Sequence, residues 1–135
     1  MHLEQQVVQE RQEVKMIEKE SVIPVHNGFY TANKVNPRQD IFGKNGLTYL
    51  TRIDQKQGIA ILIETKHYSI IASPQQSFFT NTGTLRAEEL TAGTQVLTDD
   101  GYEKINITVL DGTHELYNLI TEDGTFKANG FVLRG

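Results

Sequence analysis

The chain contains no cysteine, which removes disulfides, thiolate metal sites and cysteine nucleophiles together. Long apolar runs are missing as well: none approaches the roughly 20 residues that a membrane-spanning helix needs. The start, Met-His-Leu-Glu-Gln-Gln, has neither the basic opening nor the apolar core of a secretory signal. These absences lead to the expectation of a cytoplasmic protein or part of an intracellularly assembled particle, with no membrane partner. Positive charge is also in short supply. Thirteen scattered Lys and Arg face seventeen Asp and Glu, for a net charge of −4. Affinity for duplex nucleic acid rests on neutralising phosphates with Lys and Arg, so nucleic acid is not the expected partner.

What remains is an ordinary soluble composition, 38% hydrophobic and 22% charged. Its 135 residues suit one domain, since domains run to about 150 residues, and are enough to bury a substantial core. Residues 3 to 20 are rich in Glu, Gln, Lys and Arg. Leu3, Val7, Val14 and Ile17 fall on one helical stripe interrupted by Glu10. The spacing predicts an amphipathic N-terminal arm, with Val14 to Ile17 as the start of a strand the alternative.

From Ser21 onward the texture is short β-type runs broken by turn residues. Val22 to Val25 and Phe29 to Ala32 flank Asn27-Gly28, a hairpin signal. Leu47 to Ile53 and Ile59 to Ile63 alternate around a polar stretch at Asp54 to Gly58, which predicts a second hairpin. Tyr68 to Ala72 returns toward Pro74, and Arg86 to Leu90 reads as a short acidic helical turn. Gln95 to Thr98 reads as a strand stopped by Asp100-Gly101. Tyr102 to Leu110 reads as another, with Ile105, Ile107 and Val109 on one face. The run Val35-Asn36-Pro37-Arg38-Gln39-Asp40-Ile41-Phe42-Gly43-Lys44-Asn45-Gly46 has the layout of Ala92 to Gly101, an internal repeat of turn, strand and glycine turn.

Three stretches carry a resemblance. Ser73-Pro74-Gln75-Gln76-Ser77-Phe78, followed by Ala87-Glu88-Glu89-Leu90 and Ala92-Gly93-Thr94-Gln95-Val96-Leu97-Thr98-Asp99-Asp100-Gly101, is similar to Thr-Pro-Asp-His-Pro-Phe, Ala-Glu-Asp-Leu and Pro-Gly-Asp-x-Val-Leu-Thr-x-Asp-Gly of the Hint family, the intein and Hedgehog-type self-processing domains. The 35 to 46 segment resembles a second such unit. The last block, with Tyr117-Asn118-Leu119, Phe126, Ala128-Asn129-Gly130 and Val132-Leu133, is the most specific match. Together they cover about residues 16 to 135. The resemblance implies an all-β, Hint-like, pseudo-symmetric β-domain over 16–135 behind a short helical arm at 1–15, with the two ends of the domain close together. Twelve core positions follow from strand alternation and the family pattern: Ile23, Val35, Ile41, Ile61, Ile63, Ile70, Phe78, Leu90, Val96, Ile107, Leu119 and Phe126.

The chemistry the resemblance implies is a shift of an acyl group from nitrogen to the side chain of Cys or Ser at residue one. A histidine protonates the departing amide nitrogen, and a terminal Asn cyclises. In this chain residue one falls at Met16, which cannot attack. Ser73 and Gln76 stand for the Thr and His of Thr-x-x-His, and a Gln amide does not gain and lose a proton near neutral pH. Gly124 stands at a further histidine position, and Arg134 and Gly135 at the final His-Asn. The expectation is therefore a catalytically silent domain with vestigial positions Met16, Ser73, Gln76, Gly124, Arg134 and Gly135. Gln76 is expected to bond backbone near 16 and 134. The alternative is an active self-cleaving domain with an unusual nucleophile, Ser21 or Ser73.

Nothing else in the sequence competes. His2, His26, His67 and His114 form no recognisable triad or metal set among themselves, and Asp99-Asp100, Glu88-Glu89 and Glu122-Asp123 sit beside turns, where solvated charges are the plain reading. No cofactor or metal is expected. The expected partner is a protein in a larger assembly, contacted by the arm residues Leu3, Val7, Val14 and Ile17, because an isolated helix of about 15 residues is marginal in water and orders by docking.

Overall fold

The computed structural model describes residues 15–135, so Leu3, Val7, Val14 and the predicted helical arm lie outside the described residues. Two sheets account for the strands of the described residues. The larger has nine strands in the order β12-β6-β7-β1-β13-β5-β4-β2-β3, and the smaller runs β11-β10-β15-β8-β9 with β14 paired to β15. In chain order the strands are β1 Ile17–Glu18, β2 Val22–Val25, β3 Gly28–Thr31, β4 Asp40–Gly43, β5 Gly46–Gly58, β6 Ile61–Glu64, β7 Ser69–Ala72, β8 Ser77–Thr80, β9 Gly83–Arg86, β10 Gln95–Thr98, β11 Gly101–Lys104, β12 Asn106–Val109, β13 His114–Thr121, β14 Thr125–Ala128 and β15 Phe131–Arg134. One 3-10 turn, Ala87–Glu89, is the only helical element among the described residues. Glu89 caps it by accepting the Arg86 N–H at 2.8 Å.

Ile17 corrects the arm prediction. Its side chain is wholly buried, and its backbone pairs with Tyr117 on one side and Ala72 on the other. The strand alternative holds there, and Ile17 has no surface to offer a partner. The β2–β3 hairpin forms as predicted, Val25 pairing with Gly28. The hairpin predicted around Asp54 to Gly58 does not form. Those polar residues continue β5, whose partner is β13, Gln55 facing Tyr117 and Gly58 facing His114. A polar stretch reads locally as a turn, but a strand from 60 residues away supplies its ladder, and tertiary pairing outweighs propensity. β6 instead pairs with β7. The predicted strand Tyr102 to Leu110 is also broken. Its first half belongs to the smaller sheet and its second half to the larger, with Ile105 buried at the crossing. Only the crossing is buried: Ile107 is half-buried and Val109 is 76% exposed at the sheet edge.

The repeat survives as geometry. β4 meets β5 with Gly43 opposite Gly46, and β10 meets β11 with Thr98 opposite Gly101, each around a two-residue turn. In both β4 and β10 the second and fourth residues are the buried ones. One main core results, containing Phe78, Phe126 and Phe131 with no exposure. Eleven of the twelve predicted core residues are buried, Ile107 being the twelfth.

Candidate functional site

β1 lies between β7 and β13, and β15 pairs with β8, so the start of the domain and its last strand both border the turn between β7 and β8. That turn is Ser73-Pro74-Gln75-Gln76. It is closed by the Gln76 N–H donating to the Ser73 carbonyl at 3.1 Å. Ser73, 2% exposed, is bonded to Met16 twice: the Met16 N–H donates to Ser73 Oγ at 2.9 Å, and the Ser73 N–H donates to the Met16 carbonyl at 2.8 Å. Gln76, fully buried, sends its Nε2 to the carbonyl oxygens of Arg134 at 2.8 Å and Ser77 at 3.1 Å. Next along, the Gly135 N–H donates to the Gly124 carbonyl at 2.9 Å. The six positions named from sequence thus form one connected line, Met16 to Ser73 to Gln76 to Arg134 to Gly135 to Gly124. The expected link from Gln76 to backbone exists at the 134 end; at the 16 end Ser73 makes it.

The side chains at this centre are aimed away from proton transfer. Met16, 4% exposed, packs with Ala60 and Leu116 in a small apolar cluster covered by Ile71. Its thioether fills space in that cluster and has no hydroxyl or thiol with which to attack a peptide. Gln76 Nε2 donates and cannot accept a proton there, while its Oε1 is buried with no hydrogen-bond partner. Gly135 is crowded: a Cβ there would lie 2.6 Å from the Leu119 carbonyl oxygen, so a larger residue requires the backbone of β13 to give way. Gly124 has φ +81°, in the left-handed region that favours glycine over any side chain. Gly135 by crowding and Gly124 by backbone angle are therefore each fitted to glycine.

Ser21, the other hydroxyl considered as a nucleophile, is 2% exposed in the turn between β1 and β2, where its backbone bonds Glu18 and Ala32. Asn129, part of the terminal block, is a clamp. Its Oδ1 accepts the Val22 N–H at 2.6 Å and its Nδ2 donates to the Ser69 carbonyl at 3.0 Å, joining β2, β7 and the β14–β15 turn.

A second group was not legible in the sequence. His67 Nδ1 lies 2.8 Å from Glu103 Oε2 and 3.6 Å from Asp100 Oδ2. The neighbouring Thr65 hydroxyl first, and then His67, hold the Glu103 carboxyl below the usual carboxylate range. Loss of solvent, followed by the hydrogen bond to Asp100, pushes the Tyr68 phenol up. In the sequence His67 stands among scattered histidines and Asp100 in the Asp99-Asp100 pair beside a turn, and nothing marks Glu103. Their meeting depends on packing the β6–β7 turn against the β10–β11 hairpin, which no local pattern encodes.

No protein-family model matches the chain, and no curated protein matches it. Solved structures do. The gp41-1 intein superposes with a TM-score of 0.84 at 17% identity, over 89% of this chain and 98% of that one. A DnaB intein from Synechocystis gives a TM-score of 0.82 at 17% identity, over 89% of this chain and 97% of that one. The VidaL intein gives 0.81 at 15% identity, over 91% and 98%. The fold of this chain is the Hint fold.

Proposed function

We propose that this Hint-fold chain is a catalytically silent domain, used as a structural or protein-binding module within a larger assembly. The observation that carries this reading is the centre itself. Met16, where the fold would place a nucleophile, is packed into an apolar cluster, and Gln76, where a histidine would stand, is a fixed donor to the Arg134 carbonyl. General acid catalysis needs a group that exchanges a proton near the operating pH, and an amide does not. The centre holds two ends of the domain together instead.

Two features support a protein partner. The larger sheet ends in β3 and β12, neither of which carries a charged residue. Such edges present unpaired backbone groups to a partner strand. Large apolar side chains stand out there, Phe29 at 73% exposure and Val109 at 76%. The stripe Leu3, Val7 and Val14 ahead of the domain is the other candidate contact. Deleting residues 1 to 15 distinguishes them: lost association with an intact β-domain assigns the contact to the arm, and unchanged association assigns it to the sheet.

One contact favours the second reading, self-cleavage by Ser73, whose Oγ accepts the Met16 N–H at 2.9 Å and so lies beside the Lys15–Met16 peptide. A test separates the two. With short foreign segments fused at both ends, intact mass is measured before and after long incubation with thiol or hydroxylamine. The silent reading expects one unchanged mass. A product cut between residues 14 and 22, or at the C-terminal junction, would establish self-cleavage.

A further inference from the structure

We propose that His67, Asp100 and Glu103 form a binding site for one divalent cation of the Zn2+ type, which ties the β6–β7 turn of the larger sheet to the β10–β11 hairpin of the smaller. The site is separate from the silent centre and does not depend on whether that centre is silent.

The donor atoms are already gathered. One imidazole nitrogen and two carboxylate oxygens lie within 4.8 Å of one another, with His67 Nδ1 at 2.8 Å from Glu103 Oε2 and 3.6 Å from Asp100 Oδ2. Tetrahedral bonds of about 2.0–2.2 Å put neighbouring donors roughly 3.3–3.6 Å apart. A cation therefore needs side-chain shifts on the order of an ångström, opening the His67–Glu103 pair and drawing in any donor that lies farther out. An imidazole in the set, beside two carboxylates, favours a borderline ion over Mg2+ or Ca2+, whose preferred ligands are all oxygen.

A second observation comes from Glu103 itself. Its Oε2 meets His67, its Oε1 is shut off from solvent, and the Thr65 hydroxyl and His67 together favour its charged form. A carboxylate kept charged while largely out of water is costly, and a bound cation offsets that cost. The surrounding charge agrees. Asp99 is engaged by Lys127 at 3.0 Å, which leaves Asp100 and Glu103 facing His67, with Lys66 the further nearby cation. His67 and Asp100 are both about half exposed, so an ion can enter from solvent.

The test is calorimetric titration of the full chain with ZnCl2. One site per chain is expected, weakened at least about tenfold in each of His67→Ala, Asp100→Asn and Glu103→Gln. A combined His2→Ala, His26→Ala, His114→Ala variant is expected to bind as the unaltered chain does. Circular dichroism without metal checks that each variant folds. Should one of the three not fold, the absorption spectrum of Co2+ bound to the unaltered chain supplies a second readout, tetrahedral coordination being expected. Absence of binding by the unaltered chain overturns the proposal. So does binding that persists through all three substitutions or disappears in the triple-histidine control, or an octahedral Co2+ spectrum.

Discussion

The buried centre and the rim cluster perform the same mechanical task with opposite chemistry. At the centre, Ser73 and Gln76 join β1, the β7–β8 turn and the last strand through neutral donors and backbone carbonyls, fully out of water. At the rim, His67, Asp100 and Glu103 join two sheets through a ring and a carboxylate that are about half exposed and a second carboxylate that is largely covered. Groups able to exchange protons or hold a cation are thus gathered outside the centre, while the centre keeps groups that only hydrogen-bond. A dry site makes each hydrogen bond matter more, since an unpaired group there cannot turn to solvent. A wet site makes each ion pair matter less.

That difference sets the order of expected effects. Gln76→Leu keeps the volume but strips the donor from the Arg134 and Ser77 carbonyls. Urea unfolding should show a loss of about 1–3 kcal/mol, moderated because the orphaned Oε1 disappears with the same substitution. A loss below a few tenths would mean the link carries no weight. His67→Ala, measured in a chelator, should cost less than about 1 kcal/mol, because exposed pairs are worth little. If it costs more than Gln76→Leu, the contrast between centre and rim is wrong.

The smallest effect concerns pH. The Tyr117 phenol, on β13 beside β1, donates to Glu115 at 2.5 Å, and that bond, with burial second, pushes its pKa up to about 12. The folded state holds this proton more tightly than the unfolded chain, whose phenol titrates near 10. Its contribution is therefore fully present below about pH 10 and lost as pH rises from about 10 to about 12. Stability profiles of the native chain and Tyr117→Phe should diverge below pH 10 and converge above it. Parallel profiles would remove this role for Tyr117.

Much of the frame could be read from residues. Alternation within short runs and the family pattern found the core, and turn chemistry placed β2–β3 and the end of β10. It failed where a strand's partner is distant. Asp54 to Gly58 looks like a turn until β13 pairs with it, and Tyr102 to Val109 looks continuous until Ile105 passes between sheets. Ile17 was assigned to a helical stripe because three- and four-residue spacing cannot exclude a two-residue strand inserted between β7 and β13. The centre was legible because its six positions sit at fixed offsets within recognisable segments. The crowding of Gly135 against Leu119 was not, since it depends on a carbonyl sixteen residues earlier. The rim cluster was invisible for the same reason, two turns meeting from separate sheets.

The most direct measurement of silence is intact mass on Gln76→His, bearing a foreign segment at each end and incubated with hydroxylamine. Returning a histidine to the position that bonds the Arg134 carbonyl restores a proton-transfer group but no nucleophile at Met16. Full-length mass alone, with the variant folded by circular dichroism, is the predicted result. Fragments cut at the Lys15–Met16 bond would contradict it, because they would show that a competent nucleophile was present and lacked only its acid.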